Sequence, residues 1–120
     1  MNDEEIAKMY LAKIQSSKDR KVDFELPFNE YKRLINTKFC GYTGIEFCDY
    51  ENNIPKDRNR GRTIDRLDNT KGYISGNCVA VCNAANHIKS LWEDPQNPIT
   101  EKLTTKILAN INRRKQKCTN

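Results

Sequence analysis

Hydrophobic positions recur at helical spacing near both ends of the chain and at strand spacing only in the middle. Ile6, Met9, Tyr10 and Ile14 lie on one face of a first helix that is predicted to run to Ser16-Ser17. Asn2 or Asp3 can cap it, and Glu4 and Glu5 sit well at its positive end. Such a stripe of Met and aromatic residues reads as core packing. Charged residues 18–23 read as a loop. Leu26-Pro27 then opens a second helix, with Pro27 tolerated in its first turn and Phe28, Tyr31, Leu34 and Ile35 on one face. Toward the other end Thr100 can cap a last helix whose Leu103, Ile107, Leu108 and Ile111 are expected to face inward.

The middle follows a different rhythm. Phe39-Cys40-Gly41-Tyr42-Thr43-Gly44 carries two glycines and reads as a tight turn, and polar residues 49–61 read as a flexible loop. Strands are predicted at about 62–66 and 77–82, joined by a turn through Lys71-Gly72-Tyr73, with a helix following to about residue 92. Gly72 and Gly76 are expected to take positive φ where the strands reverse. Tyr73 is expected to pack under this hairpin and Trp92 to anchor the core. The fold class is α+β, as one domain over 1–120: a helical part at 1–36, a hairpin-and-helix core at 37–92, and a C-terminal helix with a basic tail at 93–120.

Composition narrows the picture. The 120 residues, 37% of them hydrophobic, suit one modest core. No apolar run approaches the roughly 20 residues that span a bilayer, and the N-terminus lacks a signal peptide's apolar segment. The expectation is a soluble, cytoplasmic protein with no membrane partner. Five cysteines at irregular spacing argue against a disulfide framework. The formal charge of +5 matters less than its distribution. Lys56, Arg58, Arg60, Arg62, Arg66 and Lys71 crowd the centre, and Arg113, Arg114, Lys115 and Lys117 close the chain. That pattern suits the phosphates of a nucleic acid, with Arg58, Arg60, Arg62, Lys71 and Lys89 as candidate contacts.

Asp65 falls at the end of the first central strand and Asn86 early in the helix that follows the second. A carboxylate and an amide oxygen brought together can hold one hard divalent cation. The order Cys40-Gly-Tyr-Thr-Gly, Asp65-Arg-Leu-Asp, Gly72-Tyr, Gly76-Asn77, Cys82, Asn86 and Lys89 resembles the HNH endonucleases. It is most similar to divergent, often phage-borne members with an Asp-Arg-x-Asp segment, over roughly residues 26–92. The resemblance implies a ββα-metal (His-Me finger) core with flanking N- and C-terminal helices. It further implies an enzyme that hydrolyses DNA phosphodiester bonds, nicking included, acting in the host cell if phage-encoded. Asp65 and Asn86 match the family's metal ligands, with Mg²⁺ or Mn²⁺ as the single ion, and Asn77 matches its loop-bracing asparagine.

Two departures from that family matter. Where the family has a general-base His after the strand carboxylate, this chain has Arg66, which can clamp a phosphate but cannot accept a proton near neutrality. Asp68, near the strand end, and His87, the single histidine, are the candidate replacements. His87 points about 100° from Asn86 around a helix, and Asp68-Asn69 is also ordinary turn chemistry. The second departure is in the zinc knuckles: Cys40 is followed by Thr43, and Cys82 by Ala85, where the family often has paired cysteines. Structural zinc is therefore not expected, and apolar packing is expected in its place. The missing His also motivates an alternative, a catalytically impaired HNH-fold module that binds DNA or protein.

Overall fold

The computed structural model describes the backbone of residues 1–119 and the side chains of residues 1–117. Asn2 starts helix α1 (Asp3–Asp19): its side chain accepts a hydrogen bond from the Glu5 N–H, and Asp3, Glu4 and Glu5 occupy the positive first turn. The helix passes beyond Ser16-Ser17, because the buried Ser17 hydroxyl donates back to the Lys13 carbonyl at 2.8 Å. Residues 18 and 19 are thus helical. Lys21 then takes φ 58°, which reverses the chain. Pro27 stands just before helix α2 (Phe28–Ile35) as its N-cap residue, where a missing N–H costs nothing.

Residues expected to form a flexible loop fold instead into a short hairpin. Strand β1 (Tyr50–Glu51) pairs antiparallel with β2 (Ile54–Pro55). Asn52 and Asn53 make the reversal at φ 52° and 62°, the left-handed pair that a two-residue hairpin turn requires. A 3₁₀ turn (Arg58–Arg60) follows, with Asp57 accepting from the Asn59 N–H. Strand β3 (Arg62–Arg66) then pairs with β4 (Cys78–Cys82) in a register that sets Ile64 opposite Ala80 and Asp65 opposite Val79. Helix α3 (Asn83–Glu93) begins at the residue after β4.

The chain divides into two compact units, Met1–Asn86 and the residues from His87 onward. The first holds two apolar clusters. Ile6 of α1, Leu26, Tyr31 and Ile35 of α2, Ile64 of β3 and Tyr73 form one. Tyr10 is its aromatic hub, with ring centroids 5.5, 5.2 and 5.1 Å from Phe24, Phe28 and Tyr31. Cys40, Phe47, Ala80, Val81 and Cys82 form the other, joined by Leu34, Val79, Ala84 and Ala85. Apolar packing surrounds both knuckle cysteines.

The second unit departs from expectation. Thr100 does cap helix α4 (Glu101–Thr119), its hydroxyl accepting from the Leu103 N–H at 3.2 Å. Leu103, Ile107, Leu108 and Ile111, however, are 38–57% exposed rather than inward. Trp92 is likewise no core anchor: it is 37% exposed, and its indole N–H donates to the Thr104 hydroxyl at 2.9 Å. The α3–α4 connection is a polar link, in which the Asn97 amide also donates to the Leu91 carbonyl. Among the described residues no helix is long and apolar enough to cross a membrane.

Candidate functional site

Side chains alternate across a strand, so Asp65 and Arg66 point to opposite sides of β3. Asp65 shares its side with its ladder partner Val79, which packs on the second cluster. Half-buried there, its Oδ2 accepts a 2.7 Å hydrogen bond from the Tyr42 hydroxyl. Tyr42 rides on the Cys40–Gly44 turn, and that turn is built rigidly. Gly44 takes φ +76° and donates to the Cys40 carbonyl, while the Gly41 N–H donates to Ala80 of β4 at 2.8 Å. A side chain at Gly41 would run into Val79.

The Cys40 thiol is part of the same anchor. Its burial pushes the thiol's pKa up, but hydrogen bonds from the Thr43 side chain and from the Cys82, Tyr42 and Thr43 N–H groups outweigh burial and draw it down to about 7. The Cys82 N–H lies 3.3 Å from that sulfur. Cys40, Cys48, Cys78 and Cys82 are free thiols. Among the described residues no group of three or more His, Cys, Asp or Glu is placed to hold a metal ion. Asp65 and Asn86 offer one carboxylate and one amide oxygen, donor types that suit a hard cation.

Asn86 sits in the first turn of α3, half-buried. Its neighbours Ala84 and Ala85 pack on the cluster that holds Cys40 and Val79, so α3 and the Asp65 side of the hairpin border one apolar base. The Asn83 N–H and amide donate to the Gly61 and Arg58 carbonyls at 2.9 and 2.8 Å and fix where α3 begins.

Asn77 braces the loop between β3 and β4. Buried at 6% exposure, it accepts from the Asp68 N–H at 2.9 Å and donates to the Asp68 and Gly72 carbonyls at 3.1 and 2.9 Å. Three bonds from one amide satisfy backbone that the turn would otherwise leave unpaired. Gly76 has the expected positive φ of +86°, but Gly72 does not; it is needed because any Cβ there would meet the Asp23 backbone. Tyr73 is buried as expected, hydrogen-bonded through its backbone to Asp23 and Glu25.

Several other sequence-predicted residues have structural employment. Arg66 donates to the Asn69 and Lys71 carbonyls and lies 5.4 Å over the Tyr73 ring, so it secures the loop from the side opposite Asp65. Arg62 was a candidate phosphate contact, yet its guanidinium donates twice to the Thr37 carbonyl and stacks 4.8 Å from the Phe47 ring centroid. Lys89 pairs with Glu93 at 2.9 Å on α3. Asp68 accepts from the Thr70 N–H and hydroxyl at 2.9 and 2.6 Å, which is turn chemistry. His87 is exposed on α3, and Arg58, Arg60 and Lys71 are also exposed, Arg60 lying 3.5 Å from Asp57. Tyr42 was missed as a site residue. Its signal was its place two residues after Cys40 in a glycine-bounded turn.

Comparison with known proteins gives relatives without assigned roles. The chain is 37% identical over 75 residues to an uncharacterized 29.0 kDa protein from the dda-modA intergenic region of Enterobacteria phage T4, an alignment covering 62% of this chain and 28% of that protein. It is 32% identical over 72 residues to an uncharacterized protein of Acanthamoeba polyphaga mimivirus, covering 60% of this chain and 12% of the relative. The chain thus spans well under half the length of either relative. No protein-family model matches it, and no solved structure does.

Proposed function

We propose that this chain is an HNH-type endonuclease that hydrolyses DNA phosphodiester bonds with one divalent cation held by Asp65 and Asn86. One observation carries the reading: a strand, a loop tied by a buried asparagine, a second strand and an immediately following helix, with a carboxylate on the first strand and an amide in the helix's first turn. A bound Mg²⁺ or Mn²⁺ supplies charge stabilisation at the scissile phosphate and its leaving oxygen. The chain's own part is to hold Asp65 on a rigid ladder, to keep the β3–β4 loop closed through Asn77 and Arg66, and to present Arg58, Arg60 and Lys71 to backbone phosphates. Viral relatives fit a role on nucleic acid in an infected cell.

The test is a plasmid nicking assay with Mg²⁺ or Mn²⁺. Asp65→Ala and Asn86→Ala should each lose more than the roughly 10–100-fold typical of residues that merely support a ligand. Full activity in both variants refutes the proposal.

A second reading, a binding module without cleavage, is favoured by one observation. The position after Asp65 carries an arginine whose guanidinium is tied to loop carbonyls, and no proton acceptor stands there. Salt-sensitive DNA binding that ignores EDTA, with no cleavage under any divalent metal, is its signature.

A further inference from the structure

Tyr42 is a surface aromatic, 37% exposed, with its hydroxyl committed to a carboxylate on another element. The ring belongs to neither apolar cluster of the first unit. The turn that carries Tyr42 is fastened to β4 by the Gly41–Ala80 hydrogen bond and by the Cys82 N–H at the Cys40 sulfur. Both fastenings lie on the strand that pairs with β3, and Val79, against which Gly41 is packed, is the ladder partner of Asp65. The hydroxyl is therefore delivered to Asp65 by a backbone with little freedom to move.

We infer that Tyr42 is a positioning residue for the cation site: its hydroxyl fixes the rotation of the Asp65 carboxylate and so aims that group's coordinating lone pairs. The inference rests on the proposed role of Asp65 as a cation ligand. A carboxylate free to spin about its last bond presents its lone pairs in many directions, and a small octahedral ion tolerates few of them. A second hydrogen-bonding group that removes this freedom raises affinity for the ion without touching it. The 2.7 Å contact is a full-strength hydroxyl–oxygen hydrogen bond.

The experiment measures Mn²⁺ binding directly, by electron paramagnetic resonance titration of the full chain, on wild type, Tyr42→Phe and Asp65→Ala. Thermal unfolding in EDTA is recorded beside it. Tyr42→Phe should bind Mn²⁺ about 10-fold more weakly and melt within a degree or two of wild type. In the nicking assay the Mn²⁺ concentration for half-maximal rate should rise by the same factor while the KM for DNA stays put. Wild-type Mn²⁺ affinity in Tyr42→Phe, with binding lost in Asp65→Ala, overturns the role of Tyr42 and leaves the nuclease proposal standing. A lowered melting temperature with unchanged affinity makes the hydroxyl a purely structural brace and also overturns it. Wild-type binding in Asp65→Ala ends both.

Discussion

Asn77 shows how much one buried amide can organise. Its side chain supplies an acceptor to the Asp68 N–H and donors to the Asp68 and Gly72 carbonyls, at a position 6% exposed. Asn77→Ala removes all three bonds and strands their backbone partners. The expected cost is about 2–4 kcal/mol, since each net bond is worth about 1 kcal/mol and buried unpaired groups add desolvation. Asn77→Asp keeps the acceptor but turns a carboxylate oxygen toward two carbonyls, so it should cost at least as much. Urea unfolding measures both, and a change below about 0.5 kcal/mol for the alanine variant would mean the loop is held mainly by Arg66. The role of Asn77 was legible beforehand because its place in the ordered motif points to the turn it ties. Arg66 and Arg62, candidate phosphate groups by sequence, also hold backbone carbonyls, and their placement has a physical cause. Strand side chains alternate, so Arg62 and Arg66 share the side of β3 that carries buried Ile64, and basic letters on that side do not make an exposed basic surface. Two of those letters face inward onto Tyr73 and Phe47.

Elements were legible where periodicity was strong and capping chemistry explicit. The first central strand was read at its observed bounds and the second within one residue, because turn residues bound both, Gly61 and Asp68-Asn69 the first and Gly76 the apolar second. Helix α1 outran its reading because serine was taken as a stop, whereas Ser17 bonds back into the helix. The β1–β2 hairpin was missed because its strands are two residues long and mostly polar, so no alternation announces them. Its turn was the clue: Asn52-Asn53 is a pair suited to positive φ at both positions. Asn53→Gly should leave stability unchanged or raise it by a few tenths of a kcal/mol. Asn53→Ala, forced to φ 62°, should cost about 1–2 kcal/mol. Equal melting curves for the two variants would show that the turn conformation contributes nothing to the fold. Helix α4 illustrates the converse, since its apolar spacing was read correctly while the burial assumed for it was not.

At the scale of the whole chain, the charge of +5 arises from 21 basic and 16 acidic residues, so distribution decides what it can do. With Arg62, Arg66 and Lys89 occupied by carbonyls, rings and a carboxylate, the exposed positive groups of the central cluster are Lys56, Arg58, Arg60 and Lys71. Arg113, Arg114, Lys115 and Lys117 are exposed along the end of α4. These two sets make separable contributions to any grip on DNA, because cations that meet phosphate act through counterion release and each one adds to the salt dependence. Replacing the four α4 residues by glutamine should weaken binding to any duplex alike. It should also flatten the plot of log affinity against log salt by up to about 3 to 4, at about 0.9 for each phosphate no longer neutralised. Fluorescence anisotropy with two unrelated duplexes, across a range of potassium chloride, measures both. A slope equal to wild type means that the α4 charges do not meet phosphate, and the grip then belongs to the central cations Lys56, Arg58, Arg60 and Lys71. Weakening confined to one duplex would instead point to base reading by α4, which a row of flexible cations on one helix end is poorly built to do.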